Sequence, residues 1–346
     1  MMGAQPRCMV TGGAGFIGSH LTGLLLRQGA HVIVVDDFSS GSPANLADYA
    51  DYADQGLLQC VEADILDYGR MAQLIVGVDY FYHLACRNVR LSLAQPTIVH
   101  EVNATGTLNV LKAAAAAKVK RFLYCSSSEV NGTADIVPMP EEYHFKPETI
   151  YGASKLTGEY YTNVFYKSSW LDTVIVRPHN NYGPKEHYEG FLGEVIPRFI
   201  LRSLAGLPPQ IYGDGKQTRD FTYVTETVEF MFKSMMAPQC SGMTINICHG
   251  EEVSVSHIAE LVAELTHSTV KPEYLPGRPS DVLRLFGDPT LLRNTLGGAP
   301  QIDIRSGLKM TIDWFRNAVE ITDDVLASMD ERCWEKLPGE AWLKNI

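Results

Sequence analysis

Short β-branched apolar runs recur along the first half of the chain, and between them lie stretches whose apolar residues return every three to four positions. Arg7 to Thr11 is the first run and ends in a glycine cluster; Phe16 to Arg27 follows with helical spacing, and His31 to Asp36 is the next run. Further strands are predicted at Leu57 to Ala63, Asp79 to Ala85, Arg121 to Ser126 and Thr173 to Arg177, separated by helical stretches such as Thr105 to Ala117 and Tyr151 to Lys167. Parallel neighbours need a crossover helix, so the alternation predicts an α/β fold: a Rossmann-type doubly wound parallel sheet covered on both faces.

Beyond Pro178 the rhythm loosens, with Pro and Gly clusters at Gly206 to Pro209, Gly213 to Gly215, Leu275 to Pro279 and Gly297 to Pro300. The expected organisation is a Rossmann domain over residues 1–178 and a smaller α/β substrate-binding lobe over 179–346. A segment near 220–250, with the helical Thr225 to Met236 and the apolar Thr244 to Cys248, is expected to return to the main sheet. The doubled Ala-Asp-Tyr at 47–49 and 50–52 is too short for an architectural repeat and is expected on an exposed helix or loop.

Composition narrows the setting. A chain of 346 residues that is 45% hydrophobic can bury one large core or two lobes, and no apolar run nears the roughly 18 residues of a membrane span. Met1 to Val10 lead straight into a strand, with no room for a secretion leader. The seven cysteines (Cys8, Cys60, Cys86, Cys125, Cys240, Cys248 and Cys333) are odd in number and show no CxxC spacing, which speaks against zinc and disulfides and for a reducing cytoplasm. A net charge of -11 disfavours nucleic acid as a partner, since that affinity rests on neutralising phosphates. A small phosphorylated ligand needs only local arginines and helix amides.

Such a ligand has a motif waiting for it. Gly12, Gly15 and Gly18 stand between a predicted strand and a predicted helix, where they allow a tight turn, backbone approach to a pyrophosphate and close helix–strand packing; Phe16 and Ile17 lie inside the same turn. Asp36 ends the second strand about 20 residues on, suited to accept from ribose hydroxyls and to repel a 2′-phosphate. NAD is therefore the expected cofactor.

With these residues in view, the chain resembles the extended short-chain dehydrogenase/reductases, the NAD-dependent epimerase/dehydratase family, over about residues 7–318. The likeness is carried in order by TGGAGFIGSH at 11–20, Asp64-Ile65, His83-Leu84-Ala85, Asn103 within VNATGTLNVL, Ser126-Ser127-Ser128, Tyr151 to Lys155, Arg177-Pro178 before Asn180 and Tyr182-Gly183-Pro184, and Gly213 to Phe221. The resemblance implies that residues 1–178 bind NAD, with Asp64 and Ile65 flanking the adenine and Ala85, Asn103 and Pro178 along the cofactor. It further implies a nucleotide-diphosphate sugar as substrate, Asn180 at the sugar or diphosphate, and Arg219 and Arg278 clamping the diphosphate. A homodimer paired through the Thr105 to Ala117 and Tyr151 to Lys167 helices is also implied. Neither a membrane nor a nucleic acid is an expected partner.

Tyr151 and Lys155 sit four residues apart on a predicted helix, so both project from one face. A tyrosine with a pKa near ~10 is a poor base, but an ammonium and the nicotinamide charge stabilise its phenolate, so Tyr151 can take a hydroxyl proton while hydride leaves the same carbon. By the family's spacing before Gly132, Ser127 is the hydroxyl that holds the reacting oxygen. Ser127-Ser128-Glu129 is similar to the corresponding stretch of 4,6-dehydratases and uronic-acid decarboxylases, which makes Ser128 part of the catalytic set and Glu129 a second base; the plain alternative is that Glu129 bonds a loop amide or an arginine. The expected activity is oxidation at C4 of the sugar followed by chemistry at C5. The rivals are a 4-epimerase and a non-catalytic NAD sensor.

Departures from the pattern concern the sugar pocket. Asn131 and Asn181 replace the usual tyrosine and hydrophobic residue, and the stretch from Cys86 to Arg90 is about one residue short. Arg87 and Arg90 there either meet a uronate carboxylate or pair with acids of the protein. Arg284 stands where decarboxylases carry an arginine near the substrate carboxylate. His187, Glu189 and Glu194 match no common metal motif, so no metal is expected and the segment is expected to cover the sugar or its diphosphate.

Overall fold

A computed structural model describes residues 5–277 and 281–329. Seven strands form its main sheet: β1 (Arg7–Thr11), β2 (His31–Asp36), β3 (Leu58–Glu62), β4 (Tyr80–His83), β5 (Arg121–Cys125), β6 (Thr173–Pro178) and β7 (Thr244–Ile247). All neighbours pair in parallel, in the order β7-β6-β5-β4-β1-β2-β3, which is the doubly wound arrangement. The strand from the irregular second half thus extends the sheet beside β6.

Alternate residues of each strand feed opposite layers. Val10, Val34, Leu123 and Val176 face α1 (Phe16–Arg27) and the helix Val224–Met236, while Met9, Val35, Phe122 and Ile175 face α2 (Thr107–Ala116) and α3 (Ile150–Lys167). A third core gathers Phe199, Ile258 and Phe315 from the helices Val195–Leu204, Val255–Thr266 and Ile304–Ala318. Short strand pairs such as Gln210–Tyr212 with Glu273–Leu275 brace this lobe. Among the described residues no helix is long and apolar enough to cross a membrane.

Strand ends fall within a residue or two of the sequence pattern. Two differences have physical causes. The helix expected from Thr105 begins instead as a π-helical turn at Glu101–Gly106, where Thr107 Oγ1 donates to the Asn103 carbonyl at 2.6 Å and the buried His83 ring bridges the hydroxyls of Thr11 and Thr107. In the doubled Ala-Asp-Tyr, Tyr49 is not exposed: its ring packs on α1 at Gly23.

A buried ion pair fastens α3 to the sheet. Arg177 on β6 and Glu159 on α3 are each 2% exposed and meet through two bonds of 2.7 Å, with a third Arg177 bond of 2.8 Å to the Glu141 carbonyl. Removing one partner strands a charge away from water, which costs about 3–5 kcal/mol. Urea unfolding of Glu159→Ala is expected to show a loss of that size, whereas a Glu159→Leu, Arg177→Met double variant loses far less; a single-variant loss below about 1 kcal/mol would contradict this reading.

Candidate active site

Strand order reverses at β1, between β2 and β4, and a cavity of about 480 Å³ opens there beyond the carboxyl ends of the strands. Its floor is the glycine turn. Gly12 has φ +70° and donates to the Val35 carbonyl at 2.8 Å; a Cβ on it would lie 2.7 Å from the Ala85 nitrogen, so only glycine fits between β1 and the loop after β4. No side chain caps the first turn of α1, and Gly15, Phe16, Ile17 and Gly18 at that end line the cavity. Uncapped amides at a helix N-terminus are a binding site for phosphate.

Asp36 stands at one side of this floor, accepting from the amides of Ala14 and Phe38 at 2.9 Å each. A carboxylate has further lone pairs for two ribose hydroxyls. Asp64 and Ile65 line the same end, and Ala85 and Pro178 lie further along. The chemistry of these groups fits a dinucleotide carrying a free 2′-hydroxyl.

The other end is built by α3 and the turn after β5. Thr149 caps α3 by accepting from the Gly152 amide at 3.0 Å, and a Cβ on Gly152 would lie 2.6 Å from the Glu129 carbonyl. That close approach brings Tyr151 against Ser127 and sets Lys155 one turn deeper. The Lys155 ammonium donates to the Cys125 carbonyl and sits 4.7 Å from the centre of the Tyr124 ring. Burial pulls Lys155 down, but Cys86, Tyr151, Cys125 and Glu159 around it outweigh that and its pKa is raised. Burial also pushes the Tyr151 phenol up, joined by Cys86, while the Lys155 ammonium and the Ser127 hydroxyl pull it back. In the protein alone burial outweighs the ammonium, so the phenol is neutral.

Glu129 turns into the same space. Burial raises its carboxyl above the usual range, against the pull of Arg219 and with help from Asp281, Glu148 and Glu194, and its Oε2 has no hydrogen-bond partner among the described residues. Among the described residues the Asn180 amide nitrogen and the Ser126 hydroxyl are buried without a partner as well, and both line the cavity with Ser127 and Ser128. Buried polar atoms left unsatisfied beside a crevice point to a polar ligand. Arg219 faces it from the second lobe, with Nη2 3.2 Å from Asp281.

Four expected contacts need restating. Arg87 lines the cavity, but its guanidinium pairs with Asp37 at 2.6 Å rather than pointing to the sugar end. Asn103 does not line the cavity; it is 1% exposed and grips the Arg87 backbone, accepting from its amide at 2.7 Å and donating to its carbonyl at 3.1 Å. Arg284 lies outside the cavity wall, drawn off by two bonds of 2.6 and 2.7 Å to Glu252. Arg278 lies outside the described residues.

Other cavity residues escaped sequence reasoning. Cys86 carries no motif signal, and Asp281 gives none beyond following Arg278. Glu186, buried and raised well above the carboxylate range by burial and by Glu194, accepts from the Gly183 amide. Arg90, by contrast, was named from the sequence with two readings, and it takes the acid: it is 7% exposed, bonds the Leu192 carbonyl at 2.9 Å and pairs with Glu194. His187 and Glu194 line the cavity with them, whereas Glu189 does not. Among the described residues no group of three or more His, Cys, Asp or Glu is arranged to hold a metal ion.

Comparison with known proteins agrees with this picture. The family model described as GDP-mannose 4,6 dehydratase matches residues 9–311. A UDP-glucose 4-epimerase of Mycolicibacterium smegmatis is 35% identical over 90% of this chain and 99% of its own. A UDP-N-acetyl-alpha-D-glucosaminuronate decarboxylase of Bacillus cytotoxicus is 34% identical over 92% of this chain and its full length. Among solved structures, a dTDP-glucose 4,6-dehydratase of Streptomyces venezuelae with NAD bound superposes with a TM-score of 0.84 at 30% identity, over 90% of this chain and 97% of that one.

The burial of Glu129 has a measurable consequence. A raised native pKa means the folded state keeps a proton that the unfolded state has lost, so this contribution is full below the ordinary glutamate pKa of about 4.3 and is lost as pH rises through the native value. Thermal melts from acid to neutral pH are therefore expected to show Glu129→Gln gaining on the native protein as pH rises. A stability difference that stays flat across that range would contradict the burial.

Proposed function

The chain belongs to the GDP-mannose 4,6 dehydratase family of NAD-dependent nucleotide-sugar enzymes, and on that premise we propose that it is a decarboxylase of nucleotide-diphosphate uronic acids. The observation that carries the choice of reaction is the carboxyl of Glu129 in the cavity with Tyr151 and Ser127, raised above the usual range by burial and with its Oε2 lacking a hydrogen-bond partner among the described residues. NAD is the cofactor. When bound, it accepts hydride from C4 of the sugar and returns it at the end.

Tyr151 takes the C4 hydroxyl proton, Ser127 steadies that oxygen and Lys155 offsets the phenolate. The C4 ketone is then β to the C6 carboxylate. Carbon dioxide leaves with its bonding electrons kept at C5 and spread onto the C4 oxygen as an enolate. Glu129 delivers its proton to C5, and Tyr151 returns one to O4 as C4 is reduced. Arg219 and Asn180 hold the diphosphate side, where phosphate oxygens displace Asp281 from the guanidinium.

Counting protons separates this from dehydration. Loss of water needs a base for the C5 hydrogen and an acid for the C6 oxygen. Next to Glu129 stands Ser128, whose hydroxyl is no acid at neutral pH. Decarboxylation needs one donor only, and Glu129, whose carboxyl burial raises above the usual range, is placed to be that donor.

The test is turnover of C6-labelled UDP-glucuronate in D2O. The expected result is labelled carbon dioxide and a pentose carrying one deuterium at C5, with Glu129→Gln slower by about 10²–10⁴-fold. Recovery of a C4-inverted uronate with C5 unexchanged would replace the proposal with a 4-epimerase. No product from a panel of nucleotide uronates, despite bound NAD, would favour a cofactor sensor.

A further inference from the structure

The Arg87–Asp37 pair bridges two loops that line the crevice. Asp37 follows β2 and Arg87 follows β4, and β1 with its glycine turn lies between those strands, so the two loops face each other over two strand spacings, about 10 Å. Arg87 closes the gap, with Nη2 2.6 Å and Nη1 3.4 Å from the two Asp37 oxygens and a further bond to the Ser39 hydroxyl. Its root is fixed from below by Asn103, which holds both the amide and the carbonyl of Arg87 and donates to Ser154 on α3 at 3.0 Å. Both ends of the pair are largely covered, at 14% and 28% side-chain exposure. All of Asp37, Ser39 and Arg87 line the cavity itself.

We infer that this pair is a strap over the bound dinucleotide, and that NAD leaves or enters only when it opens. The inference rests on the reading of the crevice as the NAD site and adds a route and a barrier for exchange. Such a barrier suits a reaction that returns its hydride, because a cofactor regenerated in place has no need to leave between turnovers. It also gives Asn103 a role as a positioning residue acting through Arg87.

Release of radiolabelled NAD from the holoenzyme into excess unlabelled NAD tests this without any sugar present. Arg87→Gln and Asp37→Asn are each expected to release NAD about three- to tenfold faster than the native protein, and the double variant no faster than either, because both break one pair. Raising salt is expected to speed release from the native protein more than from Asp37→Asn, a difference that needs no variant of Arg87 and that a purely structural role would not produce. Unchanged release in Asp37→Asn would overturn the strap. So would slower release in that variant, which would mean that Arg87, once freed, grips the diphosphate itself. A protein that binds no NAD at all would overturn the cofactor reading, and the strap with it.

Discussion

Lys155 carries a positive charge 3% exposed to solvent, and the active end of the molecule is arranged around keeping it there. A buried ammonium persists only with partners that replace its water. The Cys125 carbonyl at the end of β5 and the face of Tyr124 supply them, and the Tyr124 hydroxyl in turn donates to the Lys155 carbonyl at 3.1 Å. These contacts set the register of α3 against β5. Tyr151, one turn earlier, is then obliged to meet Ser127. Burial keeps the Tyr151 phenol neutral in the protein alone, with the Lys155 ammonium and the Ser127 hydroxyl pulling the other way.

The arginines around the cavity follow a different rule. In an acidic protein with net charge -11, the guanidinium of Arg87 pairs with Asp37, Arg90 with Glu194, Arg219 with Asp281 and Arg284 with Glu252. Such pairs hold a cation in place without leaving it uncompensated before a ligand arrives.

How far this was legible in the sequence depends on the range of the forces involved. The sheet and its reversal at β1 were readable because strand and helix periodicities are local, and the glycines at 12, 15 and 18 and the spacing of Tyr151 and Lys155 carry their geometry within a few residues. Asn103 and Arg284 were assigned by likeness to cofactor and substrate, while for Arg87 the sequence allowed either a uronate or an acid of the protein; the structure pairs them with the Arg87 backbone, with Glu252 and with Asp37. Those choices are made by acids 50 and 32 residues away for the two arginines, which no local pattern announces. Glu186 was missed for the same reason, since its burial comes from tertiary packing, and the half-buried Cys86 reaches the cavity wall without a motif to mark it.

The most direct test of the account is a single-turnover experiment in which the NAD-loaded protein is mixed with a nucleotide uronate and the absorbance of reduced nicotinamide is followed in time. The account requires a transient rise that decays as product forms in the native protein, and no rise in Tyr151→Phe with sugar bound. Full product formation by Tyr151→Phe, or turnover of the native protein with labelled hydride never leaving C4, would contradict it.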